Sequence, residues 1–526
     1  MALTTDFDVI VVGGGHNGLV CAGYLARSGL RTLVLERRPF VGGAAVTEEL
    51  FPGYRLSSCS YVCHLLQAKV IDDLELRRYG FDVFRLDPAR FQPYPDGRSL
   101  LVHDSIEATQ ESIAQFSRHD ADAWPEWIDL WKRAAGLIYP YFLTRPPTMA
   151  ELFARVRGSD DEVFLNRLLN VSMKELLQEY FEDPSIRGAF AQAQDVGDLS
   201  APGSAWCYAF IRCDLFSRPE DVGIVKGGMG GLSTALAASA QAHGVTIRTD
   251  ASVAGILTDS GAAIGVKLHD GSRLTADIVV SNCDPKRTFG LVEPDNLPVE
   301  FRSRIARLRT NCSYLKFHAA LNRLPDFTRY FTGDFDPKYV ASIKICPSIE
   351  YYEASWNDAR LGRPARAPVM EVQVPSVLDP TMAPDGHHVL SVWGLYAPVN
   401  PADGSWDQLR SVTAEALIDS LSEYAQDFQD CLVDWSLFTP ADLERRVALT
   451  DGNIRHLDMI PDQYLASRPM LGWSDYSTPL QNLYLCGAGT HPGGEVTGAP
   501  GHNAAHRILK ERYGNDTSGP ARPSDL

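Results

Sequence analysis

Gly13, Gly15 and Gly18 stand in Gly-x-Gly-x-x-Gly order directly behind the β-branched run Val9 to Val12. In that order glycines permit a tight turn, close approach of the backbone to a pyrophosphate, and close packing of the helix that follows on the strand that precedes it. His16 and Asn17 lie inside the turn, and a helix over Leu19 to Ser28 would aim its free N–H groups at the phosphate. Glu36 closes a second strand, Arg31 to Leu35, eighteen positions past Gly18 (36 − 18), where a carboxylate accepts from a ribose hydroxyl. Strand, turn, helix, strand and acid together are far more specific than the glycines alone. Behind Arg37 and Arg38 comes a second small-residue turn, Gly42, Gly43 and Ala44, whose amides can approach a ligand where side chains would collide.

Other reactive groups are placed less tellingly. Cys59 and Cys63 are separated by three residues, no Cys-x-x-Cys pair occurs, and buried thiols are expected rather than a redox disulfide. His387-His388 has no Cys or His at ligand spacing, so a solvated turn is expected and no metal. Lys226 to Gly231 is glycine-rich but lacks the dinucleotide order and a following acid, which argues against a separate NAD(P) site.

These residues need a parallel sheet to hold them. Short apolar segments Val245 to Arg248, Ser252 to Thr258, Ile264 to His269 and Asp277 to Asn282 read as strands returning to the nucleotide sheet, and Asn482 to Cys486 as a last one. Between them, Asp122 to Ile138 and Asp161 to Tyr180 have helical period. Trp124, Trp127 and Trp131 share one face, which suits ordinary core, a tunnel wall or a membrane-resting surface. Strands Ser313 to Leu321, Val369 to Val374 and Val389 to Tyr396, and a helix from Trp406 to Phe428, form a mixed region; Tyr330 to Pro368 reads as a lid or interface excursion.

With 526 residues the chain exceeds one core. A net charge of −17 and the lack of any basic run exclude a nucleic-acid partner. No run approaches the ~20 apolar residues of a spanning helix, the first strand begins near Phe7, and the ten cysteines form no disulfide framework, so a cytoplasmic protein with reduced thiols is expected.

The nucleotide turn followed by Glu36-Arg37-Arg38, Gly42-Gly43-Ala44 and Thr47-Glu48-Glu49-Leu50-Phe51-Pro52-Gly53-Tyr54 resembles the phytoene desaturase-like branch of FAD-dependent oxidoreductases, with the glutathione reductase-type FAD fold. Within that branch it is most similar to the group called pyridine nucleotide-disulfide oxidoreductase domain-containing protein 2. The resemblance implies an α/β chain: an FAD domain from residues 1–106, 223–300 and 456–515, a mostly helical insertion at 107–222, a mixed α/β substrate domain at 301–455, and a tail at 516–526. It implies that Val253 meets the adenine through its backbone, that Gly487, Gly489 and Thr490 pass the ribityl phosphate end, and that Glu495, Val496 and Thr497 pass the flavin ring. His491 and Glu495 are the titratable residues nearest that ring and the candidates for catalysis.

The activity implied is dehydrogenation, desaturation or isomerisation of an apolar, polyene or isoprenoid-like small molecule. Trp206, Tyr208 and Phe210 are candidate channel residues, and peripheral membrane contact is compatible with such a substrate. Amine oxidation on the same fold, or a flavin-binding interaction protein with vestigial redox activity, are the alternatives.

Overall fold

The computed structural model describes residues 6–514; the tail expected at 516–526 lies outside them. Two seven-stranded sheets organise the chain. The first is built around Phe7–Val12, whose β-branched run Val9 to Val12 is buried on both faces, as a central parallel strand must be. Thr32–Leu35 and then Thr246–Arg248 extend it in parallel on one side. On the other side lies Arg273–Ser281, whose C-terminal half pairs in parallel with both Phe7–Val12 and Leu483–Leu485. The N-terminal half of the same strand pairs antiparallel with Ala262–Leu268, which pairs with Val253–Asp259. Segments from three distant parts of the chain therefore close one sheet, as the resemblance implied.

Helix His16–Arg27 packs on this sheet between Met229–Ala242 and Ala499–Tyr513. The glycines of Lys226–Gly231 serve this packing. A Cβ on Gly230 would sit 2.7 Å from the Thr47 nitrogen, and the Gly230 amide donates to Thr47 Oγ1 at 2.9 Å. That explains a glycine cluster without a second dinucleotide site.

The second sheet runs Leu432–Phe438, Ser313–Leu321, His388–Ala397, Val369–Gln373, Ser342–Ile345, Arg90–Pro93, Ser99–Val102. Two of its strands depart from the expected organisation. Arg90–Pro93 and Ser99–Val102 fall within 1–106 yet belong to this sheet, because Phe91 registers with Ile343 in a shared apolar layer. Ser342–Ile345 and helix Ile349–Arg360 fall within the stretch expected as a lid, which is instead part of the sheet and its cover. One sheet face carries the core against helix Trp406–Ser422, with Leu315, Phe317, Ala319 and Leu321 pointing into it. The other face looks toward the helical insertion and the first sheet.

The insertion forms its own core. Helix Arg118–Gly136 is capped by the Ser117 hydroxyl, which accepts from the Asp120 amide. Trp124, Trp127 and Trp131 are buried among Phe181, Phe190, Tyr180 and Tyr208, so the stripe is core, neither tunnel wall nor membrane face. The expected long helix to Tyr180 is two helices, Asp160–Asn170 and Met173–Tyr180, since Ser172 and Glu175 make a capping box that starts the second. No helix of the described residues is long and apolar enough to cross a membrane.

Candidate functional site

The nucleotide turn is assembled from both glycine turns and a residue the sequence did not single out, Asn282. Gly42 donates its amide to the Gly14 carbonyl at 2.8 Å, bringing Gly43 against Gly15: a Cβ on Gly43 would lie 3.2 Å from the Gly15 Cα. Asn282 follows the strand Arg273–Ser281, and its side chain lies beneath the turn, donating to the Gly13 carbonyl at 3.3 Å. A Cβ on Gly15 would meet Asn282 Nδ2 at 2.7 Å, and one on Gly18 would meet the Gly13 carbonyl at 2.3 Å. Gly487 and Gly489 reach the same place from the C-terminal segment, packed against Asn282, His456 and Pro285.

Glu36 is buried, with Oε2 accepting from the Gly14 amide and Oε1 from the Arg38 amide, both at 2.9 Å. Its carboxylate therefore ties the end of the second strand to the turn. Ala251 donates to the Glu36 carbonyl at 2.9 Å, which sets Val253 two residues further along the chain. The two arginines after Glu36 turn to protein partners: Arg37 donates to the Arg445 carbonyl at 2.9 Å, and Arg38 pairs with Glu48 at 2.7 Å and stacks over Phe40. Each guanidinium is thus partly engaged by protein, while Arg38 Nη1 is buried without a partner; the Ala44 carbonyl accepts from the Ser60 amide.

The cradle fits a flavin dinucleotide. Small residues from three chain segments leave room that a Cβ would fill, and the buried His16 Nε2, Asn17 Oδ1 and His456 Nδ1 around it have no protein partner. Burial pushes His16 and His456 down to about 4, so both imidazoles are neutral near pH 7.

Next to the cradle, Thr490 Oγ1 donates to the Gly487 carbonyl, Thr497 accepts from the Gln67 amide, and Val496 is core. His491 is buried and donates Nε2–H to the Tyr141 carbonyl at 2.8 Å; burial pushes it down to about 4. Glu495, with φ of 62°, turns its carboxylate into a charged chain. Arg455 joins Glu495 at 2.5 Å, Asp195 at 2.7 Å, Gln194 at 2.9 Å and the Tyr314 hydroxyl at 2.7 Å. His64 Nε2 approaches Glu495 from the other side at 3.8 Å. Burial alone would raise the Glu495 carboxyl, but Arg455 and His64 outweigh it and hold it at about 2. Burial pushes His64 down, but Glu495, Asp214 and Glu371 together push it up, so it ends above its usual value. Of this group His64 is the one whose protonated form its surroundings favour.

Beyond it, four residues on neighbouring strands stand in one row across the second sheet: Lys316 opposite Trp393, Trp393 opposite Glu371, Glu371 opposite Lys344. Lys316 is fully buried, its Nζ has no hydrogen-bond partner, and it lies 4.5 Å from the centroid of the Tyr61 ring and 5.5 Å from that of Trp393. Burial lowers it to about 7. The Tyr61 hydroxyl donates to Glu371. Tyr61, His64, Tyr208, Glu371 and Glu495 keep partial solvent contact although interior elements surround them, so an accessible space reaches this face of the sheet at Glu371, while Lys316, Trp393 and Lys344 are buried. Of the three expected channel residues only Tyr208 has that contact; Trp206 and Phe210 are core against Tyr464.

Lys316 was legible in principle, since it and His318 interrupt an otherwise apolar, fully buried strand. His64, Asp195 and Arg455 carry no local signal, because only the fold joins them.

All ten cysteines are free; burial pushes Cys59 up to about 11 and Cys63 up to about 12, and they belong to different apolar clusters. Cys59→Ser with Cys63→Ser is expected to leave the rate of flavin reduction within about twofold of wild type, measured by anaerobic stopped flow.

The family model described as flavin containing amine oxidoreductase matches residues 18–509. Pyridine nucleotide-disulfide oxidoreductase domain-containing protein 2 of Rattus norvegicus is 35% identical over 548 residues, covering 97% of this chain and 94% of that protein. One component of the limonene dehydrogenase of Castellaniella defragrans is 28% identical, covering 97% and 96%, and the lycopene-forming phytoene desaturase of Paracoccus sp. is more distant at 26%, covering 94% and 95%. Among solved structures, a putrescine oxidase variant shares the fold with a TM-score of 0.63 at 15% identity, covering 97% of this chain and 99% of that one. With the glycine cradle in place and these matches along nearly its whole length, the chain belongs to the flavin containing amine oxidoreductase family and is an FAD-dependent oxidoreductase.

Proposed function

We propose that this protein dehydrogenates, or isomerises without net oxidation, a largely apolar small molecule lying along the face of the second sheet. The observation that carries the reading is the row Lys316, Trp393, Glu371 and Lys344, with Tyr61 across it. Its walls are aromatic, and two of its four members are lysines. An alkylammonium brought beside the buried Lys316 meets desolvation, and repulsion from its protonated fraction, whereas an apolar chain gains about 0.8 kcal/mol per buried methylene. The relatives named for limonene and for phytoene support an apolar substrate. Ten free cysteines support the cytosol as compartment.

In this reading Gly13, Gly15, Gly18, Gly43, Gly487 and Gly489 hold the dinucleotide by backbone contact, with Asn282 bracing the turn. FAD, when bound, supplies the two-electron chemistry. Glu495 stays ionised and fixes His64, and His64 gives or takes the proton. Tyr61 and Trp393 orient the apolar body and exclude water from it. His491 shapes the wall through Tyr141.

The test is anaerobic bleaching of the bound flavin by terpenes, polyenes, fatty acyl compounds and amines. Apolar compounds are expected to bleach it, with binding that tightens with chain length until the space is full. Fast turnover of a short polar amine with no dependence on length would overturn the proposal and favour amine oxidation, the activity in the family's own description. Lys316→Met is expected to keep full flavin content and to tighten amine binding by about tenfold, since removing a neighbouring charge is worth about 1.4 kcal/mol. Spectral titration of wild type and variant with decylamine reads this directly.

A further inference from the structure

We infer that the accessible space ends at an anion seat, where Arg90 receives the carboxylate of an otherwise apolar substrate. The inference rests on the apolar-substrate reading and names the head group of that substrate. Arg90 opens the strand Arg90–Pro93. Its neighbour Phe91 packs into the core on the far side of the sheet, so strand alternation places Arg90 on the face that carries Lys344, Glu371, Trp393 and Lys316. The guanidinium lies 5.3 Å from the centroid of the Phe190 ring, which also contacts Trp124, Trp127 and Phe181. Its Nε is buried without a hydrogen-bond partner, and among the described residues no acceptor or ion pair engages the guanidinium at all.

The neighbouring cations are occupied. Lys344 Nζ donates to the Ala189 and Ala191 carbonyls at 3.0 and 2.9 Å, and Arg212 pairs with Asp214 at 3.2 Å. Glu371, the carboxylate whose field reaches Arg90, is bound by the Tyr61 hydroxyl and makes no ion pair with the guanidinium. Arg90 is partly exposed, and its guanidinium therefore offers the accessible space a planar fork of donors and a charge with no protein ion pair. A carboxylate is the ligand that matches it, because it accepts two parallel N–H bonds and carries one negative charge. A phosphate monoester would bring up to two negative charges to a place with one unbalanced cation.

Calorimetric titration of the full-length flavoprotein with decanoate, 1-decanol, decylamine and decyl phosphate tests this, since the four share one apolar chain. Decanoate is expected to bind at least about tenfold tighter than 1-decanol. Arg90→Gln should abolish that preference and leave 1-decanol binding within about twofold, while Arg90→Lys keeps part of it and both variants keep the wild-type flavin content. Equal affinity for decanoate and 1-decanol in the wild type would overturn the seat, as would tighter binding of decylamine or decyl phosphate, or an Arg90→Gln variant that binds decanoate undiminished. The wild-type comparison needs no variant to fold. A protein whose flavin is bleached by neutral apolar compounds but that ignores the carboxylate loses only the seat. One that binds decanoate through Arg90 but is reduced only by short amines loses only the substrate reading.

Discussion

Gly15→Val is expected to purify as a colourless protein, without absorbance at about 450 nm, and to bind added FAD at least about 100-fold more weakly than wild type. The backbone at Gly15 is extended, with φ of −69° and ψ of 167°, so valine meets no conformational penalty there. What it meets is matter: the Cβ alone would stand 2.7 Å from Asn282 Nδ2, with the Gly43 Cα at 3.9 Å. The two further methyl groups would occupy the narrow passage between the two small-residue turns, where the proposed reading puts the pyrophosphate against backbone amides. The fold should survive, since Asn282 can shift and the strand Phe7–Val12 is held on both sides by parallel neighbours. Flavin content from the visible spectrum, with a melting curve of wild-type apoprotein as reference, separates loss of cofactor from loss of fold. A variant that stayed yellow at full occupancy would show that the pyrophosphate sits elsewhere. Gly18→Ala provides a contrast: its Cβ would strike the Gly13 carbonyl at 2.3 Å, so it should destabilise the turn itself and lower the melting temperature even without flavin.

Arg455→Met is expected to destabilise the protein by about 3–5 kcal/mol, the cost of removing one partner from a buried ion pair. Arg455 is the only cation bonded to Asp195 among the described residues, and it is the nearer of the two that hold Glu495. Deleting it leaves carboxylates in the interior beside the Tyr314 hydroxyl. The pH dependence should reverse as well. In the wild type Glu495 is held at about 2, below its unfolded value, so its stabilising contribution is complete above about 4.5 and disappears as pH falls toward 2. Without Arg455, burial dominates and raises the folded value above the unfolded one. The variant should then gain stability relative to wild type as pH falls through that raised value. Denaturant unfolding of both proteins at pH 7 and pH 5 checks the sign: a gap that narrows at pH 5 agrees, and a gap that widens contradicts the ion-pair account. Adding Asp195→Asn to Arg455→Met should recover part of the loss, because it removes one stranded charge.

The sequence alone determined the nucleotide half of this protein. Gly13, Gly15, Gly18 and Glu36 are local: strand, turn and helix follow one another within thirty residues (36 − 7 + 1), so period and spacing define them without tertiary information. The C-terminal turn from Gly487 to Thr497 was legible through its likeness to a known family, and its helix begins at Ala499 as expected. The buried run Val9 to Val12 announces its strand by unbroken apolar character, and Ser313–Leu321 reads as a strand despite Lys316 and His318. The tertiary structure decided what faces the flavin end. Tryptophans at helical spacing look the same whether they fill a core or line a channel; only the packing of Phe181 and Phe190 against them made them core. Arg90–Pro93 is too short and mixed to be assigned to a sheet, until the Phe91–Ile343 register puts it there and turns Arg90 inward. His64, Asp195, Arg455 and Glu495 are separated by 40 to 431 positions (495 − 455, 495 − 64) and have no period in common. Their contact exists because two sheets and a helical insertion converge, and charges buried at such a convergence must find each other or be expelled to water.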